Sequence, residues 1–377
     1  MHHRLLVALA LASATCSVLV GPAAATPEAP VGPTGPPKGS IVVRAAGDRD
    51  PATGAAVPLP GARIAAYTDP ALTTAAGACT TDPAGTCTIT GLAAGVYRVG
   101  PVDDPPGGAF HRLGTVSTSL DAAGPYAEAV VVDEGTPTTR RFVYRRTNPP
   151  FPARCGVGVT LLYDLSGSIA PDEATQMERA SLAFVDALAG TPSAIAVASF
   201  ATAAPAAGNV DLAPTSVAEP SGVATVKAAV SALTLPAGDG RFTNWDAALR
   251  SVVGQSDVVV LFTDGNPTVH GVPAVFPPVQ TGLDQIDAGV LSANAVKASG
   301  ARVLAVGVGN VDEVAPDNLA AVSGPVEGSD YAITTFADVG TVFRALADAL
   351  CPRPEPPVVV SPAPEPEPAA PTPRFTG

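Results

Sequence analysis

From residue 157 to residue 350 the chain alternates between short apolar runs and segments with helical spacing. VGVTLLYD, AIAVASFA, DVVVLFTDG, RVLAVGVG and DYAIT read as strands. Between them Met177, Ser181, Phe184 and Leu188 share one helical face, and VATVKAAVSAL, WDAALRSVVG, LSANAVKASG and VFRALADAL read as further helices. Such alternation predicts a mostly parallel, doubly wound (Rossmann-like) α/β sheet with helices on both faces. Ligands of such sheets bind beyond the carboxyl ends of the strands. Two of these ends carry acids, Asp164 and Asp264, each directly after a run that reads as central.

The texture differs before Asn148-Pro149-Pro150. SIVVRAA, RIAAYTD, TCTITGL, VYRVGPV, EAVVV and RFVYRR are short, β-like and separated by Gly, Pro and Asp, with no sustained helical period. The reading is therefore multidomain: an all-β sandwich over 39–148, then the α/β domain over 154–352. The start, MHHRLLVALALASATCSVLV, has the form of a secretory signal peptide over 1–25. Lipidation at Cys16 is disfavoured by Thr15, where such sites need a smaller residue. Residues 26–38 read as a Pro/Gly linker and 353–377 as an extended Pro-rich tail. No segment after the signal reaches the roughly 18 apolar residues of a membrane span.

Composition narrows the partners. The net charge is −13, and lysine occurs only at Lys38, Lys227 and Lys297, so nucleic acid is excluded as an expected partner. The one basic cluster, Arg140, Arg141, Arg145 and Arg146, alternates with apolar residues and reads as the solvent face of a strand. Four cysteines remain after the signal: Cys79, Cys87, Cys155 and Cys351. In an exported chain an even count favours disulfides over free buried thiols. Of the three pairings, the local one joins Cys79 to Cys87 across Asp82-Pro83-Ala84-Gly85, and Cys155 to Cys351.

Three fragments are rich in oxygen donors: Asp164-Leu165-Ser166-Gly167-Ser168, Gly240-Arg241-Phe242-Thr243-Asn244 and Phe262-Thr263-Asp264-Gly265. Two carboxylates and three hydroxyls suit a hard divalent cation, and neutral hydroxyls leave it seeking a further anionic oxygen. The bland alternative is helix capping, by Ser168 or Asp172 on the first helix and by Thr243 on the helix that follows it. The order D-x-S-x-S, then Thr after Gly, then T-D-G after an apolar strand resembles the metal-ion-dependent adhesion site of von Willebrand factor type A domains. That resemblance implies Asp164, Ser166, Ser168, Thr243 and Asp264 as metal ligands, direct or through water. It implies Mg²⁺ as the ion, with Mn²⁺ and Ca²⁺ left open, and a Cys155–Cys351 bond flanking the domain. More loosely, GSIVVRAAGDRDPATGAAVPLPGARIAAYTD and TTDPAGTCTITGLAAGVYRVG resemble the collagen-adhesin B-type sandwich of Gram-positive surface proteins. That family's Lys–Asn isopeptide bond is not expected here. Arg44 stands on the first strand, Lys38 lies upstream of it, and VYRVGPV lacks the assisting Glu, although Asn148 offers an acceptor. The Cys79–Cys87 clip is read as its substitute.

Catalysis is not expected. After the signal the histidines are His111 and His270, and zinc-protease and nucleophile-elbow motifs are missing. Ser166 stands where a phosphatase would need its second acid, and Gly307-Val308-Gly309 lacks the third glycine of a dinucleotide turn. His270 reads as a solvent-exposed loop residue, and Phe184 and Trp245 as core. The sequence is thus read as an exported bacterial surface adhesion protein, of pilus-tip type as one form, secreted or cell-wall associated. Its metal site would coordinate a carboxylate of a protein ligand, either host matrix or another surface protein. The specificity loops are expected at 202–222 and 265–285. The alternatives are a secreted matrix or assembly component with a purely stabilising ion, and a metal-assisted hydrolase. Wall-anchored relatives end in a Leu-Pro-x-Thr-Gly signal, whereas the sequence stops at Arg374-Phe375-Thr376-Gly377. Truncation, free secretion and retention by a partner stay open.

Overall fold

A computed structural model describes residues 39–119, 123–133, 135–152, 154–238, 241–278, 280–309 and 314–351. The expected signal peptide, linker and Pro-rich tail, with Lys38 and Gly240, lie outside the described residues. Among the described residues no helix is long and apolar enough to cross a membrane.

The first part is built only of strands: β1 (Gly39–Arg49), β2 (Ala56–Pro58), β3 (Arg63–Tyr67), β4 (Ala75–Thr80), β5 (Thr86–Leu92), β6 (Gly95–Pro101), β7 (Phe110–His111), β8 (Thr115–Val116), β9 (Gly124–Pro125), β10 (Glu128–Val132), β11 (Thr138–Val143) and β12 (Arg145–Arg146). In one sheet β1 pairs in parallel with β11 and antiparallel with β5 and β2. A second sheet runs β10-β6-β3-β4. Residues of both sheets, among them Ile41, Val43, Ile64, Ile89, Val99 and Val130, bury their side chains in one apolar cluster. The Cys79–Cys87 disulfide links β4 of one sheet to β5 of the other. The turn between them is held by Asp82, whose Oδ1 accepts from the Ala84 and Thr86 amides at 2.9 Å each. Gly85 has φ +68°, and a Cβ there would sit 2.8 Å from the Ala45 carbonyl oxygen, so both backbone and space demand glycine.

The second part follows the alternation: β13 (Gly158–Asp164), α1 (Pro171–Leu188), β14 (Ala194–Phe200), β15 (Leu212–Ser216), α2 (Pro220–Ser231), α3 (Trp245–Ser251), β16 (Val258–Thr263), α4 (Leu283–Ala298), β17 (Arg302–Val308), α5 (Pro316–Val322), β18 (Tyr331–Thr334) and α6 (Val339–Leu350). The six-stranded sheet has the order β15-β14-β13-β16-β17-β18. It is parallel except at β15, which runs antiparallel to β14. Alternate residues of its strands feed two cores. Val159, Leu161, Val260 and Phe262 pack with α1 and α6 residues such as Phe184 and Phe343, while Leu162, Leu261 and Val303 pack with α3, α4 and α5. Phe184 and Trp245 are fully buried, as core residues should be. The Cys155–Cys351 disulfide joins the entry to β13 with the end of α6.

The two parts share a core. The cluster that fills the all-β part continues into Val290, Leu291, Ala293 and Val296 of α4. Helix α4 lies between the six-stranded sheet and β1, β11 and β12. This corrects the reading of the arginine cluster as a solvent face. Arg141 is exposed, but Arg145 is buried and donates to the Ala320 carbonyl at 3.0 Å. Arg146 pairs with Asp48, and its amide donates to Asn294 Oδ1 at 2.7 Å. The strand breaks at buried Tyr144, which turns β12 towards α4. Asn148 is likewise committed: its side chain donates to the Val303 carbonyl and Asp330, and accepts from the Val303 amide.

Candidate metal centre

Buried apolar residues carry β13 and β16 side by side through the sheet, so their ends deliver Asp164 and Thr263-Asp264 to one rim. Asp164 is fully buried. Its Oδ1 accepts from the Ser166 amide at 2.9 Å and its Oδ2 from the Thr263 hydroxyl at 2.6 Å. The chain then turns back over Asp164, and the Gly167 amide donates to the Arg241 carbonyl at 2.7 Å. That bond draws the 166–168 turn onto the 241–243 segment. A Cβ on Gly167 would meet the same carbonyl oxygen at 3.2 Å, so the close approach favours glycine.

The hydroxyls converge. Ser166 Oγ and Ser168 Oγ are 3.2 Å apart, and Ser168 Oγ donates to Asp264 Oδ1 at 2.8 Å. A Cβ built on Gly265 would lie 3.8 Å from Ser168 Oγ and 3.9 Å from Thr243 Oγ1, which brings the third fragment to the same spot. Thr243 is held from behind: its amide donates to Thr268 Oγ1, and its carbonyl accepts from the Thr268 and Val269 amides. All five residues expected from the sequence, Asp164, Ser166, Ser168, Thr243 and Asp264, therefore share one rim. Ser168 faces solvent while the other four are buried.

Capping does not account for them. On α1, Glu173 Oε2 accepts from the amide of the capping residue, Ala170, at 2.8 Å, so neither Ser168 nor Asp172 has that duty. On α3 the cap is Asn244, whose side chain accepts from the Ala247 amide at 3.0 Å. Among the described residues no group of three His, Cys, Asp or Glu could hold a metal ion. The donor set here is two carboxylates with hydroxyls, all hard oxygens, which fits Mg²⁺, Mn²⁺ or Ca²⁺ and not a softer ion.

Electrostatics agree with that fit. Burial, and then the charge of Asp264, push the Asp164 carboxyl from an ordinary 3.8 up to about 7. A cation would offset both effects, and a proton competes with it for the same carboxylate. Mg²⁺ affinity measured by calorimetry should therefore weaken roughly 100-fold from pH 8 to pH 5. An affinity unchanged across that interval would show that Asp164 does not hold the ion.

Some neighbours of the rim were not legible in the sequence. A groove of about 790 Å³ opens beside Ser168, Thr243 and Asp264, and its far wall comes from the all-β part through Ser117, Thr118, Ser119 and Ala123. Gly265, Asn266, Thr268, Gln280 and Thr281, all within the 265–285 segment, line it as well. The other expected segment, 202–222, meets the rim at Thr202, whose Oγ1 accepts from the Phe242 amide at 2.9 Å, and further on contains strand β15 and the start of α2. His270 is half-buried, with its backbone bridged to Val275, which corrects the solvent-exposed reading.

No family model and no curated protein matches the chain. Solved structures align with part of the chain at low identity. One is the pilus adhesin SpaC of Lactobacillus rhamnosus GG in an open conformation, at 16% identity and TM-score 0.41 over 54% of this chain and 31% of that one. A von Willebrand factor type A protein from Catenulispora acidiphila aligns at 16% identity and TM-score 0.36, over 55% and 44% of the two chains. BatB from Bacteroides thetaiotaomicron aligns at 14% identity and TM-score 0.38, over 52% and 97%. The chain thus spans about a third of the length of SpaC.

Proposed function

We propose that this chain is an exported surface protein that binds a protein partner through a divalent ion held by Asp164, Ser166, Ser168, Thr243 and Asp264. The convergence of these five residues on one solvent-facing rim, with no capping duty, is the observation that carries the reading. When bound, the ion would offer an open coordination position to an outside carboxylate. The protein's own residues supply two carboxylates and three hydroxyls, five donor side chains for an ion that prefers six oxygens, so a position is left for an oxygen from outside.

The surroundings support a macromolecular partner. Phe242, next to Thr243, is exposed and meets exposed Phe276 edge-on, with ring centroids 5.2 Å apart. Val272 and Val275 of the same loop are also exposed. Apolar surface gathered beside a polar rim is typical of a protein-binding face. Over 39–148 the finer reading is a collagen-adhesin B-type sandwich in which a disulfide replaces the isopeptide bond. Arg44 cannot act as the amine of such a bond, and the side chain of Asn148 is engaged by Val303 and Asp330.

The test measures ion uptake and retention on surfaces coated with matrix proteins, in Mg²⁺ and in EDTA. Uptake of a single ion per chain and EDTA-sensitive retention are expected, both lost in Asp264→Asn. Ion uptake that raises the melting temperature without EDTA-sensitive binding to any surface would favour the matrix-component alternative. Absence of uptake by the folded chain would sink the reading.

A further inference from the structure

The all-β part reaches the groove beside the rim. Its 115–119 segment is locked into the α/β part by a run of bonds beside the candidate ion site. Thr115 Oγ1 donates to Asp317 Oδ1 at 2.6 Å. The Ser117 amide donates to Asn318 Oδ1 at 3.0 Å, and Asn318 Nδ2 donates to the Ser117 carbonyl at 2.8 Å and to Asn266 Oδ1 at 2.9 Å. The Ser119 amide donates to the Thr281 carbonyl at 2.8 Å, and the Thr281 amide donates to Ser119 Oγ at 2.7 Å. These bonds fix one wall of the groove against the loop that follows Asp264.

The charge of that groove is one-sided. Asp264, Glu173 and Asp317 line it, and among the described residues no lysine or arginine does. An ion bound between Asp164 and Asp264 would be balanced by those two carboxylates, which leaves Glu173 and Asp317 as the further charges lining the groove, Asp317 being shared with the neighbouring hollow that Arg112 and Arg145 line. A lone acidic partner segment would enter against their field. One with a cation near its carboxylate would be drawn in.

We infer that the groove between the 115–119 wall of the all-β part and the candidate ion site receives an extended peptide segment whose carboxylate is accompanied by a basic side chain. The inference rests on the proposed ion site and adds the partner's second charge and the role of the all-β part in choosing it.

The probe is a displayed library of random short peptides, selected on the full chain in Mg²⁺ and eluted with EDTA. Wild-type selection should enrich acids with Arg or Lys close by. In the Glu173→Gln/Asp317→Asn double variant the basic enrichment should fall roughly threefold, a surface-charge effect, while the acid is retained. Both changes keep the hydrogen-bond acceptors that Ala170 and Thr115 use. Ala123→Lys puts a cation on the all-β wall at an exposed position and should reduce basic enrichment by a similar factor. Calorimetry should find Mg²⁺ uptake preserved in every variant. EDTA-eluted peptides that are acidic without basic neighbours, or basic enrichment unmoved by Ala123→Lys, would overturn the inference and leave the ion site standing. No EDTA-dependent enrichment at all would remove both.

Discussion

Asp164→Asn should abolish measurable Mg²⁺ uptake and, in the metal-free protein above pH 7, raise stability instead of lowering it. In the wild-type fold burial and Asp264 raise this carboxyl to about 7. The folded chain therefore holds the proton more tightly than the unfolded chain. The resulting stabilisation is complete below about pH 4 and is lost as pH rises through 7. Above pH 7 the ionised group costs folding on the order of 4 kcal/mol relative to an ordinary carboxyl. Asparagine has no charge to bury, and its geometry fits. One side-chain atom can still accept from the Ser166 amide. The other would donate to Thr263 Oγ1, whose own hydrogen can turn to the Gly265 carbonyl at 2.9 Å. A gain of about 2 kcal/mol is expected in chelator at pH 8, read by urea unfolding. Saturating Mg²⁺ should raise the wild-type melting temperature and leave the variant unmoved. If the variant is less stable than wild type in chelator, burial of an uncompensated charge is not what this rim does.

The same residues show how far the sequence could be read. Runs of β-branched residues before Asp164 and Asp264 made the central strands legible, and strand pairing then forces the two acids together. The Cys79–Cys87 bond was legible from the short turn between its partners, while Cys155–Cys351, whose partners lie 196 positions apart, was expected from the resemblance. Helix α4 was read only from Leu291 because its first half, LDQIDAGV, buries Gln285 and Asp287 together with its apolar residues, so polar and apolar positions do not separate into two faces. It is buried against a sheet on one side and the all-β part on the other, so the amphipathic signal is lost. Strand β15 was hidden by Pro214, tolerated there because β15 is an edge strand. Helix α5 was missed as well: it spans only Pro316–Val322, too short to establish a period. The groove wall at 115–119 could not be found by pattern at all. Apart from buried Val116 it consists of short polar residues whose role comes from contacts some two hundred positions away in the chain, such as Ser117 with Asn318.

Those long-range contacts lead to the second large effect, at Asn294. This α4 residue is fully buried where the two parts meet. Its Nδ2 donates to the Gly47 carbonyl and, at 2.7 Å, to the Tyr144 carbonyl, while its Oδ1 accepts from the Arg146 amide. One side chain thus satisfies three backbone groups of β1, β12 and the bend before β12. Asn294→Ala leaves all three buried and unpaired, which should cost about 4 kcal/mol in urea unfolding. Asn294→Leu, which fills the space, should cost nearly as much, because lost hydrogen bonds and not a cavity are responsible. A loss under about 1 kcal/mol in both variants would contradict this account. Unfolding should remain a single transition in each, since the apolar core runs through α4 into both parts. The effect reaches the rim by the same helix. Gln285, in the first turn of α4, donates to the Thr268 carbonyl at 3.5 Å, and Thr268 backs Thr243. The all-β part, α4 and the candidate ion site therefore stand or melt together. A fragment cut at residue 154 to isolate the α/β part would expose the apolar face of α4 and leave Asn294, Asp246 and Asp287 without the partners they have in Gly47, Arg49 and Tyr126.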